Sequence, residues 1–280
     1  MEKGDLLAAN AHSQYIMVNG LRLHYLEWNV KKEPVMLLLH GTGDDAHIWQ
    51  DFASFAANHF KILALDQRGH GKSDWARPAS YSCKDYVGDI DAVIKGLKLT
   101  KIILIGHSMG ALHATSFAAE HPELISYLVH VDINPKPPEW NRDYLHGLFD
   151  TLPHTYSCVE DFSKILRKAS PYAAEKILFN LADNALKKKQ NSKFYRRCDL
   201  EVFHHFDQYN LDSILQKISC PTLIVRGTES RVMGYEAALE MEKKISSSRL
   251  VEIPYATHSV LTDAPDKFQK AVEKFLFENL

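Results

Sequence analysis

Two kinds of apolar patterning divide the chain. Near its start, residues 15–18 and 21–28 flank Asn19-Gly20, and Leu21, Leu23 and Tyr25 fall on alternate positions, with Glu27 continuing the series. Alternation suits a strand with two unlike faces. Asn-Gly supplies the positive-φ pair that a type I′ turn needs, so the segment predicts a β-hairpin. Beyond Pro34 the apolar runs become continuous, at 35–39, 62–65, 102–105, 127–131, 223–225 and, more weakly, 250–253. Unbroken short runs suit strands covered on both faces, as in a parallel sheet. Helical spacing fills the gaps over 45–57, 86–97, 109–121, 235–245 and 265–280. Strand and helix in alternation predict an α/β sheet with right-handed crossovers.

One interval breaks the rhythm. Residues 134–216 carry no parallel-strand pattern, but they do carry helical spacing and many aromatics, among them Trp140, Tyr144, Phe149, Tyr172, Phe179, Phe203 and Phe206. This predicts a helical insertion after the sixth strand, with 1–133 and 217–280 forming the sheet-bearing core. No internal repeat or low-complexity tract interrupts the pattern.

Composition narrows the function. Hydrophobic residues make up 45% and charged residues 24% of 280, enough to bury a large core. The formal charge of −2 argues against a nucleic-acid or anionic-membrane partner. The short basic runs Lys187-Lys188-Lys189 and Arg196-Arg197 read as solvated helix faces. Cys83, Cys158, Cys198 and Cys220 show no C-x-x-C pair and no metal-ligand spacing, which points to reduced thiols and no metal. Segment 1–10 has neither an apolar core nor a cleavage-site pattern, and no run reaches membrane-span length. The expectation is a soluble, cytoplasmic protein, monomeric or homodimeric.

Chemistry enters at Gly106-His107-Ser108-Met109-Gly110, which follows the run 102–105 and opens a helical pattern. A G-x-S-x-G between strand and helix is a nucleophile elbow: the sharp turn lifts the serine hydroxyl above the sheet edge, at a helix N-terminus. Side chains at 106 and 110 would collide with neighbouring backbone, hence the glycines. His107, beside the nucleophile, is expected to point into the sheet. His40-Gly41-Thr42-Gly43 follows the run 35–39, where a loop N–H from Thr42, or from Gly43, can converge with that of Met109 on an oxyanion. Asp66 and Arg68 follow the next strand and read as loop pins.

A serine needs an imidazole to accept its proton. Of 15 histidines, His258 is placed best, in the loop between the last strand and the last helix. His204 and His205 read as surface residues of the insertion. Two carboxylates compete to orient the imidazole. Asp132 ends the run 127–131. After the strand 223–225, Glu229 follows Gly227, but the position three beyond the glycine, where an aspartate is expected, holds Ser230. Asp132 is preferred, and Glu229 is the alternative.

Elbow, His-Gly turn and terminal histidine, in this order, resemble the α/β-hydrolase superfamily from about residue 15 to 280. The resemblance implies that fold: an eight-stranded, mostly parallel sheet with helices on both faces, and a helical cap made by the insertion. Haloalkane dehalogenases place their acid after the sixth strand, which favours Asp132. Dehalogenases and epoxide hydrolases carry aspartate at the elbow, whereas this chain has Ser108, so halide and epoxide chemistry are not expected. The implied activity is a cofactor-free serine hydrolase that cleaves a small-molecule ester through an acyl-serine. Carbon–carbon bond, lactone and amide hydrolysis remain open on the same triad. Lyase or peroxidase chemistry and a receptor-like ligand binder with little turnover are further alternatives. Gly43, Trp49, Trp140, Phe203 and Phe206 are expected to line the substrate pocket.

Overall fold

A computed structural model of the chain describes residues 11–190 and 192–278. The N-terminal segment 1–10, on which the targeting expectation rests, and the last two residues of the expected terminal helix lie outside the described residues.

Strands β1 (His12–Val18) and β2 (Leu21–Trp28) pair antiparallel around Asn19 and Gly20, which have φ of 49° and 77° as a type I′ turn demands. The remaining core strands are β3 (Val35–Leu39), β4 (Lys61–Leu65), β5 (Ile102–His107), β6 (Ile125–Val131), β9 (Thr222–Gly227) and β10 (Ser248–Ile253). They form one eight-stranded sheet in the order β1-β2-β4-β3-β5-β6-β9-β10. β2 is antiparallel to β4, and from β4 to β10 every pairing is parallel.

The continuous apolar runs are explained by cover on both faces. Leu37, Leu39 and Leu104 pack against Val87, Ile90 and Phe117 of α2 (Cys83–Gly96) and α3 (Met109–Glu120). Met36, Leu38, Ile103 and Ile105 face the opposite way, onto Phe52, Phe268 and Val272 of α1 (Gln50–Ala56) and α10 (Pro265–Phe277). Side chains alternate in direction along each strand, yet both sets are buried, so no polar alternation appears in the sequence. Helix α2 starts three residues before the apolar spacing suggests. Ser82 and Asp85 form a reciprocal capping box, which fixes the start at Cys83.

Between β6 and β9 lie helices α4 (Trp140–Asp150), α5 (Val159–Ala169), α6 (Glu175–Ala185) and α7 (Glu201–His204). The insertion is not wholly helical. β7 (Leu186–Lys188) and β8 (Phe194–Arg196) form a short antiparallel hairpin, extended by a bridge from Tyr156 to Phe194. Three-residue strands are too short to print a period. The insertion is pinched at its base, where Leu211 N–H donates to Pro135 O at 2.8 Å and Tyr209 Oη donates to Asn134 O at 2.9 Å. It also rests on the core through Asp199, whose N–H donates to Gly69 O and whose carboxylate accepts from Arg77 and Tyr81. The remaining helices are α8 (Tyr235–Lys244) and α9 (Val260–Asp263). No helix among the described residues is long and apolar enough to cross a membrane.

Candidate active site

β5 ends at His107, α3 begins at Met109, and Ser108 makes the whole turn between them at φ 54°, ψ −124°. This is a left-handed conformation, costly for a residue with a Cβ. Its surroundings leave no alternative. A Cβ on Gly106 would stand 2.2 Å from Gly110 O, and one on Gly110 would stand 2.2 Å from Leu39 O. The Ser108 N–H donates to Val131 O of β6 at 2.9 Å, which ties the elbow to the neighbouring strand.

His258 follows β10, in the loop before α9. Its Nε2 lies 2.9 Å from Ser108 Oγ, and its Nδ1 lies 3.1 Å from Asp132 Oδ1. Asp132 is fully buried just beyond β6, at φ 48°. Its N–H donates to Val225 O, its Oδ2 accepts from Gly227 N at 2.7 Å, and its Oδ1 also accepts from Ser230 Oγ. A buried carboxylate held by this many donors has one orientation available. The His258 loop is set against β9 just as closely, since a Cβ on Gly227 would meet Thr257 O at 2.2 Å. The His258 side chain keeps 29% exposure, so its imidazole remains reachable from solvent.

His107 does not point into the sheet, as the elbow geometry suggested. Its Nε2–H donates to His258 O at 2.9 Å, and its ring lies 4.9 Å from the His258 ring. Burial, with the adjacent His258, pushes the His107 pKa down to about 3. His107 is therefore a neutral strut under the His258 loop.

The loop after β3 runs beside the elbow. A Cβ on Gly41 would lie 3.0 Å from Asp44 Oδ2, 3.1 Å from Ser108 Cβ and 3.2 Å from His107 Nδ1. The Gly43 N–H donates to His70 Nε2 at 3.1 Å, and Asp44 N–H closes a turn on Gly41 O. Beneath the loop, His40 accepts from Gln67 N–H, and Asp66 accepts from His24, Ala46 N–H and Lys72 N–H. Arg68 pairs with Asp89 through Nε and Nη2 at 2.6 and 2.7 Å. Asp66 and Arg68 thus pin the loops, as their positions suggested. Among the described residues, neither Thr42 N–H nor Met109 N–H has a protein acceptor.

The other expected site residues divide. Glu229 does not approach His258; its carboxylate accepts from Tyr172 Oη at 2.6 Å near the surface, because its N–H and the regular turn direct the side chain outward. Trp49 is wholly buried against Phe52 and Phe268 in the core, so it cannot line a pocket. Trp140 is 64% exposed on α4, turned to solvent beside Tyr144, and does not line one either. Phe203 lies against Gly43, with its Cζ 3.2 Å from where a Cβ would stand, and Phe206 packs in the same cluster as Met109. His204 and His205 are half-exposed surface residues. Two charged residues of the site were not foreseen. Asp44 reaches the same side of Gly41 as Ser108, its Oδ2 and the serine Cβ lying 3.0 and 3.1 Å from where a Gly41 Cβ would stand. Arg196 is on β8 rather than on a solvated helix, and reaches Gly43 O with Nη2 at 3.1 Å. Only the aromatic spacing around Arg196 hinted at burial.

Residues 34–265 match the family model described as the alpha/beta hydrolase fold. Over 286 residues the chain is 27% identical to epoxide hydrolase 1 of Caenorhabditis elegans, covering 94% of this chain and 70% of that protein. It is 24% identical over 281 residues to 2-(acetamidomethylene)succinate hydrolase of Mesorhizobium japonicum, covering 96% and 99%. A crystal structure of E-2-(acetamidomethylene)succinate hydrolase superposes with a TM-score of 0.87 at 23% identity, covering 96% of this chain and 100% of that one.

Proposed function

Because the chain belongs to the α/β-hydrolase family, we propose that it is a serine hydrolase cleaving a small-molecule ester through an acyl-serine, with Ser108, His258 and Asp132 as its triad. One observation carries this reading: the continuous chain from Ser108 Oγ through His258 Nε2 and Nδ1 to Asp132 Oδ1, with separations of 2.9 and 3.1 Å. Those are the distances at which an imidazole takes a hydroxyl proton while a carboxylate fixes its tautomer.

In the first half-reaction His258 Nε2 accepts the Ser108 proton as Oγ attacks the carbonyl carbon. The tetrahedral oxyanion takes the two free N–H groups, of Thr42 and Met109, with the latter at the head of α3. Asp132 stabilises the imidazolium, which then protonates the leaving alkoxide. Water, deprotonated by the same imidazole, releases the acid and restores Ser108. The segment 134–216 acts as the cap, with Phe203 and Phe206 facing the acyl site. The epoxide-hydrolase relative does not redirect the reading, since Ser108 stands where that chemistry uses aspartate.

The test is labelling with a fluorophosphonate, followed by intact mass and peptide mapping. A single adduct on Ser108 that His258→Ala abolishes is the expected result. Folded protein left unlabelled by both a large and a small probe overturns the assignment.

A further inference from the structure

Arg196 is the unusual feature above the site. Its guanidinium lies between two rings, with Cζ 5.3 Å from the Phe162 centroid and 5.2 Å from that of Phe203. Nη2 donates to Gly43 O, next to the oxyanion donor Thr42. Nη1 is sealed from solvent and has no hydrogen-bond partner among the described residues, and the same is true of the Tyr156 hydroxyl, which feels the Arg196 charge. Two buried polar groups without partners, one of them on a guanidinium held against the Gly43 loop, are an unbalanced arrangement. A buried donor left unpaired is destabilising, and an arginine fork is matched best by a carboxylate.

Asp44 lies within electrostatic reach of Arg196. Its carboxyl faces Asp45 on its own turn, His107 of β5, His258 beyond β10 and Arg196 of β8. Resting on the Ser108 reading above, we propose that Arg196 is the anchor for a carboxylate on the substrate, so that the site prefers acyl compounds carrying a negative charge close to the scissile carbonyl. Asp44 sets when the anchor is available. Burial and Asp45 push its pKa up to about 7, against the pull of His258 and Arg196. Protonated Asp44 leaves the guanidinium uncompensated, and an anionic substrate supplies the missing charge. Ionised Asp44 offsets part of the Arg196 charge and repels that substrate. The preference is therefore strong below neutral pH and fades above it. Reaching Nη1 requires the short β7–β8 hairpin to part from the Gly43 loop, which breaks the bond from Arg196 Nη2 to Gly43 O.

Monomethyl succinate and methyl butyrate test this, because they differ by a terminal carboxylate in place of a methyl. At about pH 6 the charged ester is expected to be favoured in kcat/KM by about tenfold or more, the ratio falling toward unity by about pH 8. Arg196→Met is expected to bring the ratio to unity or below at both values. Arg196→Lys, which keeps the charge but loses the fork, falls between. Asp44→Asn holds the ratio at its low-pH value throughout. Thermal melts check that each variant is folded. If neither methyl ester is turned over, protection of Ser108 from the fluorophosphonate by glutarate and by pentanoate replaces the ratio. A ratio at or below unity in the unsubstituted protein at about pH 6, a ratio that Arg196→Met leaves unchanged, or equal protection by the two anions overturns the proposal. Failure of the Ser108 reading itself is separate: it is the absence of any adduct on the unsubstituted protein.

Discussion

Ser230 Oγ donates to Asp132 Oδ1 at 2.5 Å, and that same oxygen lies 3.1 Å from His258 Nδ1. The hydroxyl itself accepts from Val232 N–H and Met233 N–H, so its proton is aimed at the carboxylate. Ser230 occupies the position where the sequence invites an acid, and its hydroxyl binds Asp132, just beyond β6, instead. Ser230→Ala removes one donor from a fully buried carboxylate. The expected loss is about 1–3 kcal/mol of unfolding free energy, read by urea titration. Ser230→Asp sets a second negative charge against Asp132 and is expected to be less stable than the alanine variant.

Asp132→Asn should lower kcat by about two to four orders of magnitude, because the amide favours the wrong imidazole tautomer. Glu229→Gln should stay within about threefold of the parent, since its carboxylate is engaged with Tyr172. Steady-state kinetics on one ester compares the two. Equal losses would reopen the choice of acid.

Gly227→Ala is expected to be destabilised by several kcal/mol, about 3 or more, because the added methyl meets Thr257 O at 2.2 Å and backbone must move. The displaced loop carries His258, so fluorophosphonate labelling should slow in whatever folded fraction remains. Gly147→Ala, with nothing within 4 Å of its Cβ, is the control and should leave the melting temperature unchanged or slightly raised.

Stability should fall on the acid side. Burial holds His107 and His113 at about 3 and His130 at about 4, against 6.5 for a free imidazole. Between those limits the unfolded chain binds more protons than the folded one. Their contribution is thus complete above about pH 6.5 and is lost as pH falls through the folded values. Asp44 works the other way, since its folded carboxyl keeps a proton up to about 7. Its contribution favours folding at low pH and is lost as pH rises toward neutrality. Urea midpoints from about pH 4 to 8 should therefore drop in acid. His130→Gln should flatten the acid limb, and Asp44→Asn should raise stability near pH 8.

Local chemistry was the legible part of the sequence. Asn19-Gly20 declared its turn, and continuous apolar runs declared strands packed on both faces. Gly106, Ser108 and Gly110 declared the elbow because backbone collisions leave glycine no substitute. What stayed hidden depended on contacts distant in the chain. Nothing near Glu229 reveals that Tyr172, 57 residues earlier, engages it. Trp49 and Phe203 are both aromatic and both buried, yet one stands in the core beside Phe268 and the other against Gly43. Arg196 read as solvated because a basic pair usually is; its burial between Phe162 and Phe203 comes from a hairpin too short to leave a period.

The pinch at the base of the insertion has an engineering consequence. The chain leaves the sheet after β6 and returns at β9, the strand beside it, and the bonds from Leu211 to Pro135 and from Tyr209 to Asn134 close the gap. Everything between is a loop whose two ends already meet, while Ser108, Asp132 and His258 are all carried outside it. Such a loop is a natural graft point. A foreign lid, or a short linker, spliced between 136 and 208 keeps both bonds of the pinch and leaves Ser108, Asp132 and His258 in the retained part of the chain.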